Sequence, residues 1–134
     1  MNILTSYKSN KNVIYSCKYH VIWCTKYRRD LLKDDVESDL ISIVFDKAKT
    51  MGVDVIELEV MPDHIHMLVD VDPQFGIHKF VKNIKGASSR ILRDKHRELR
   101  SRVPTLWTNS YFVSTLGGVT LDVVEKYIED QKNV

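Results

Sequence analysis

Two short patterns in this chain place side chains where metal or phosphate chemistry could be done. The first is "MPDHIHMLVD", residues 61–70, which sets His64 and His66 two apart inside an apolar run. On a β-strand such residues share a face with their Cβ atoms about 7 Å apart, so two imidazoles could converge on one divalent ion. The second is "VEKYIEDQ", residues 124–131, with Tyr127 and Gln131 four apart. On a helix that spacing stacks them, so an amide carbonyl suited to a metal and a phenol open at the same mouth. Plainer readings stand beside both: two half-exposed histidines with no joint role, and a surface tyrosine next to a solvated glutamine.

Those side chains need elements to position them. Val13 to Thr25 read as one long strand rich in Val, Ile, Tyr and Trp. "KDDVESDLISIVFDKAKTMG" reads as a helix capped by Asp34 or Asp35 and stopped by Gly52, with Val36, Leu40, Ile43, Val44 and Met51 as its inner stripe. "VDVIELEV" and "HIHMLVDV" follow as strands joined by a tight hairpin at Met61-Pro62-Asp63. Alternation turns Ile65, Met67, Val69 and Val71 toward the core, and His64, His66, Leu68 and Asp70 toward the opposite face. "FGIHKFVKNIKGASSRILRDKHREL" makes a second helix with Ile77, Val81, Ile84, Ser88 and Ile91 inside. "SYFVSTL" is a fourth strand, and after Gly117-Gly118 a last helix, "LDVVEKYIEDQ", is capped by Thr120 and docked by Leu121, Val124 and Ile128. The order β-α-β-β-α-β predicts an α+β fold of ferredoxin-like (RRM-like) type. It has an antiparallel sheet with two helices on one face, the other face open, and an extra C-terminal helix.

Composition places the chain among soluble globular domains. It has 134 residues, 43% hydrophobic and 28% charged, with no repeat or linker, so residues 1–134 are expected to form one domain. No apolar run is long enough to span a membrane and no secretory leader is visible, so a cytoplasmic location is expected. Cys17 and Cys24 fall seven apart on the expected strand, roughly 23 Å, which excludes an internal disulfide. The net charge of +2 conceals an asymmetry: residues 79–102 carry +7 and the remainder −5. Lys79, Lys82, Lys85, Arg90 and Arg93 on the second helix, with Lys26, Arg28 and Arg29 near the end of the first strand, suggest a polyanionic partner. A solvated helix face would read the same way. Trp107, Tyr111 and Phe112 are assigned to the core rather than to base stacking.

Four segments together resemble a known family: "YHVIWCTKYRR", "MPDHIHMLV", "LWTNSYFVSTLGG" and "VEKYIEDQ". The sequence resembles the single-tyrosine transposases of small insertion sequences, within the HUH (His-hydrophobic-His) nucleases, over nearly its whole length. The resemblance implies His64, His66 and Gln131 as ligands of Mg²⁺ or Mn²⁺ and Tyr127 as nucleophile. It also implies cleavage and rejoining of single-stranded DNA beside hairpins at element ends, through a covalent 5′-phosphotyrosine. Finally it implies a homodimer whose composite active sites each borrow the partner's tyrosine helix. Gly117 and Gly118 sit where a hinge for such an exchange would be needed, although two glycines that merely cap a strand fit equally well.

The chemistry is coherent on its own terms. A phenol titrates near 10 and attacks a phosphodiester poorly unless phosphate charge is offset, which a divalent Lewis acid can do. On ligand preference alone imidazoles favour Zn²⁺, so Mg²⁺ or Mn²⁺ is an implication of the resemblance. Tyrosine attack exchanges one phosphodiester for another, so rejoining needs no ATP, and no G-x-x-x-x-G-K-[ST] loop is present. The alternatives are a ferredoxin-like nucleic-acid-binding module without catalysis, and a metal-dependent hydrolytic nuclease. The first would place stacking aromatics on the third strand, where "HIHMLVDV" stands instead.

Overall fold

The structure, a computed structural model, describes residues 7–115 and 121–134. Two short strands, β1 (Lys8–Ser9) and β2 (Ile14–Tyr15), form a small hairpin ahead of the main sheet. The main elements are β3 (Lys18–Cys24), α1 (Asp34–Thr50), β4 (Asp54–Met61), β5 (His64–Asp70), α2 (Ile77–Lys95), α3 (Glu98–Arg102), β6 (Phe112–Thr115) and α4 (Leu121–Asp130). The four long strands lie in the order β4-β5-β3-β6, every pair antiparallel. This is the ferredoxin-like arrangement expected from the element order.

The core is the helix-side face of the sheet. Val21 and Trp23 of β3 and Ile65, Met67 and Val69 of β5 are fully buried against Leu40 and Val44 of α1 and Phe80, Ile84 and Leu92 of α2. The alternation of β5 is as read from the sequence, and Pro62-Asp63 closes the β4–β5 hairpin with Met61 opposite His64. Trp107 is core, edge-on to Trp23 with ring centroids 5.9 Å apart. Its indole N–H donates to Ser88 Oγ at 2.9 Å, and Ser88 donates to the Ile84 carbonyl. A hydroxyl on the inner stripe of α2 is thereby satisfied. Both cysteines are free thiols.

Four local expectations are corrected. The first strand is not continuous. The Cys17 N–H is taken by the Asp70 carboxylate (3.0 Å), and Ile14–Tyr15 pair instead with Lys8–Ser9 across a turn organised by the Asn10 side chain. Neither Asp34 nor Asp35 caps α1. Lys33 occupies the N-cap without a side-chain bond, and Asp34 takes a left-handed φ of 54°. In α2 the most buried positions include Phe80 and Leu92 rather than Ile77 and Ile91, and the helix stops at Lys95, with α3 following as a separate turn. The fourth correction matters most. The face opposite α1 and α2 is not left open along its whole width, because α4 lies over its β3–β6 side. Ile22 and Cys24, which point to that face, are both fully buried.

Candidate active site

The sheet register sets out the site in rows. His66 of β5 stands opposite Ile22 of β3, which stands opposite Phe112 of β6. His64 stands opposite Cys24, one row along. Partners in an antiparallel pair share a face, so the histidines, Cys24 and Phe112 all point to the face that α4 partly covers. With strands about 4.8 Å apart, the histidine and Phe112 columns are separated by roughly 10 Å of backbone.

His64 is held from behind. Its Nδ1 lies 2.8 Å from Asp63 Oδ1, and Asp63 Oδ2 receives the Arg28 Nε–H at 3.0 Å. A carboxylate only accepts, so Nδ1 is the nitrogen that donates to Asp63, and Nε2 has no hydrogen-bond partner among the described residues. Burial alone would push the Asp63 carboxyl up. Hydrogen bonds and charge from His64 and Arg28 outweigh it and hold the group below its usual value. His66 shares a hydrogen bond between its Nε2 and His20 Nδ1 at 3.2 Å, while its Nδ1 faces Glu59 at 4.0 Å. Burial, reinforced by the neighbouring His20, lowers its pKa against the opposing pull of Glu59. His66 is therefore a neutral imidazole at neutral pH, the form able to ligate a metal.

Tyr127 and Gln131 project from α4 and the turn that follows it, onto the β6 side of the same face. Both bond to Ser110, which the sequence reading passed over. Ser110 Oγ donates to Gln131 Oε1 at 3.0 Å and accepts from the Tyr127 hydroxyl at 3.0 Å. The Tyr127 ring also tilts against Phe112, with centroids 5.7 Å apart. Burial raises the phenol pKa, and Ser110 offsets part of that because its hydroxyl can turn to donate to a phenolate. Lys85 fixes the segment bearing Ser110 by donating to the carbonyls of Thr108 (2.6 Å) and Ser110 (3.0 Å). Burial lowers its pKa to about 8.

The structure thus assembles two half-sites on one face. His64 and His66 are supported by Asp63, Arg28 and His20; Tyr127 and Gln131 are gathered on Ser110. Among the described residues no hydrogen bond joins the two halves directly, and no three His, Cys, Asp or Glu side chains converge as a metal cage. Arg28 bridges them loosely, with Nη1 3.6 Å from Glu129 of α4. Of the remaining cations, Lys79 lies over the Phe75 ring and Lys26 over the Tyr27 ring. Arg93 donates to the Val103 carbonyl, and Lys82, Arg90 and Arg29 are exposed. Gly117 and Gly118, and the expected cap Thr120, lie outside the described residues. Asp63 and Arg28 sat within quoted motifs, yet only the folded hairpin shows that they meet. Ser110 and His20 carried no signal in spacing.

Comparison with known proteins identifies the family. Residues 13–131 match the family model described as "Transposase IS200 like". The chain is 40% identical over 126 residues to the ISDra2 transposase TnpA of Deinococcus radiodurans, covering 92% of this chain and 90% of that one. It is 30% identical over 126 residues to the transposase for insertion sequence element IS200 of Salmonella typhimurium, covering 92% and 82%. Among solved structures, a crystal structure from Deinococcus radiodurans R1 described as that of a transposase superposes with a TM-score of 0.82 at 37% identity, covering 95% of this chain and 99% of that one. A REP-associated tyrosine transposase bound to a REP hairpin shares the fold at 10% identity, with a TM-score of 0.57 over 91% and 68%. The matched residues 13–131 include all four quoted segments, and the chain belongs to the IS200-like transposase family.

Proposed function

We propose that this transposase cuts and rejoins single-stranded DNA at insertion-sequence ends through attack by Tyr127, with His64, His66 and Gln131 holding a divalent cation. The observation that carries the reading is the placement of a half-buried phenol, an amide oxygen and two imidazoles on one sheet face. These donors suit a cation: His64 Nε2 has no hydrogen-bond partner among the described residues, burial favours the uncharged form of His66, and Gln131 Oε1 has a second lone pair beyond the one given to Ser110. When bound, a cation such as Mg²⁺ or Mn²⁺ would supply Lewis-acid stabilisation of the phosphate charge. The protein's own groups do the rest. Within one chain Ser110 holds the phenol oxygen. Tyr127 forms a bond to phosphorus as the 3′-oxygen leaves, so a 5′-phosphotyrosine and a free 3′-hydroxyl result. The reverse attack reseals without ATP.

The two half-sites are most simply completed by a second copy of the chain. In a homodimer with exchanged α4 helices, Tyr127 and Gln131 would face the partner's histidine pair. Support comes from the bonding within one chain, where Tyr127 and Gln131 end on Ser110 rather than on His64 or His66. Exposed cations of α2, notably Lys79, Lys82 and Arg90, with Arg93, would hold the backbone of hairpin DNA. Lys85 is the weaker candidate because its ammonium is already spent on two carbonyls.

The test uses labelled single-stranded oligonucleotides tiled across the DNA flanking the gene, incubated with Mg²⁺ or Mn²⁺. A protein–DNA adduct that survives denaturation and disappears with chelator is expected. Cleavage without any adduct would replace this mechanism with hydrolysis by a bound water.

A further inference from the structure

We infer that the turn at Lys26–Arg28 and the cleft beside it form a track for single-stranded DNA. Tyr27 would be a base-stacking platform, and Arg29, Arg102 and Lys132 would be its phosphate contacts. The inference rests on the proposed function and assigns a second contact region beyond the reacting residues.

Three independent observations converge on this turn. The backbone there is held in an unfavourable conformation, with φ of 57° at Tyr27 and 51° at Arg28. Neither residue is glycine, and left-handed backbone at consecutive bulky residues persists only where surrounding contacts enforce it. Here those contacts are the Tyr27 N–H to the Val134 carbonyl (2.8 Å) and the Arg28 N–H to the Thr25 carbonyl (3.0 Å). The effect is to present the Tyr27 ring outward, 43% exposed, with the Lys26 ammonium 4.9 Å from its centroid on one face.

The ring also stands between two cavities. A cleft of about 730 Å³ is lined by Arg28, Arg29, Arg102 and Lys132. A cavity of about 570 Å³ is lined by Ser110 and Gln131 of the candidate active site. Tyr27 and Asn133 line both, so a chain leaving the active site passes the Tyr27 ring to reach the arginines.

Charge completes the case. Arg28 is paired with Asp63 and Glu129, but among the described residues Arg29, Arg102 and Lys132 have no carboxylate partner, and Asp30 is the single acid in the cleft lining. Unpaired cations along a groove beside an exposed ring form the combination that binds single strands without reading sequence. Each base offers a π-face and each phosphate a charge. A duplex would leave the ring unused, because its bases already stack on one another.

The test is fluorescence anisotropy with a labelled thymidine oligonucleotide of about fifteen nucleotides. Chelator is present so that neither metal binding nor cleavage contributes. Tyr27→Asn removes the ring while keeping a residue that tolerates left-handed backbone. It is expected to weaken binding about ten-fold, whereas Tyr27→Trp retains it. The double variant Arg29→Ala/Arg102→Ala alters only side chains on the cleft and should lower the salt slope of binding by roughly 1.4, at about 0.7 per phosphate contact. Wild-type affinity in Tyr27→Asn, or an unchanged salt slope in the double variant, would overturn the track. Failure of the wild-type protein to bind the oligonucleotide at all would instead remove the DNA reading on which the track rests.

Discussion

Replacing Asp63 by alanine should weaken divalent-metal binding without touching any proposed ligand. Asp63 accepts from His64 Nδ1 at 2.8 Å and is itself fixed by Arg28 at 3.0 Å. The two side chains of the Asp63–His64 pair are only 16% and 18% exposed, so water does little to screen them. A carboxylate in this place fixes the tautomer that leaves Nε2 free and makes that nitrogen more basic. Loss of such a partner typically costs 10–100-fold in metal affinity. That is about 1.4–2.8 kcal/mol, in line with about 1.5–3 kcal/mol for a hydrogen bond to a charged group. Asp63→Asn keeps an oxygen acceptor but not the charge, so its loss should fall below about ten-fold. The assay is Mn²⁺ titration of DNA-free protein by calorimetry or electron paramagnetic resonance, with ¹⁵N spectra of the imidazoles to read the His64 tautomer. An Asp63→Ala protein that melts normally, binds Mn²⁺ as tightly as wild type and keeps the Nδ1–H tautomer would refute the reasoning.

Three further outcomes follow from the same geometry. Ser110→Ala removes the one hydroxyl that holds both Tyr127 and Gln131; the phenol, losing the group that can donate to its anion, should titrate at higher pH by ultraviolet difference spectroscopy, and cleavage should slow while Ser110→Thr preserves part of it. Lys85 has a folded pKa of about 8 against about 10.4 unfolded, so between those values the unfolded chain binds more protons and stability rises with pH. Denaturant titrations should find that rise reduced in Lys85→Met. Met67→Ala empties a fully buried position on β5 and should cost about 2–5 kcal/mol of unfolding free energy, measured by the same titrations at neutral pH.

What could be read in advance tracks the range of the interactions involved. The β5 alternation was legible because a strand buried on one face obeys a period of two, and Pro62-Asp63 announced the hairpin locally. His64, His66, Tyr127 and Gln131 were legible as spaced pairs. Their supports were not. Ser110 meets α4 from 17 and 21 residues away, and His20 meets His66 across 46. Such partners leave no periodic trace. The break at Ser16-Cys17 has the same origin: the Asp70 carboxylate, 53 residues distant, takes the Cys17 N–H. The cover that α4 gives to Ile22 and Cys24 also depends on tertiary docking, which an amphipathic pattern permits but does not locate.

The central claim is that Tyr127 becomes covalently joined to DNA. The most direct measurement is mass spectrometry of the protein after reaction with an end-derived single-stranded oligonucleotide, nuclease trimming and proteolysis. The account predicts a nucleotide remnant, attached through phosphate, on the peptide carrying Tyr127, and no such peptide from Tyr127→Phe. A remnant on another residue, or efficient cleavage by Tyr127→Phe with no remnant anywhere, would contradict it.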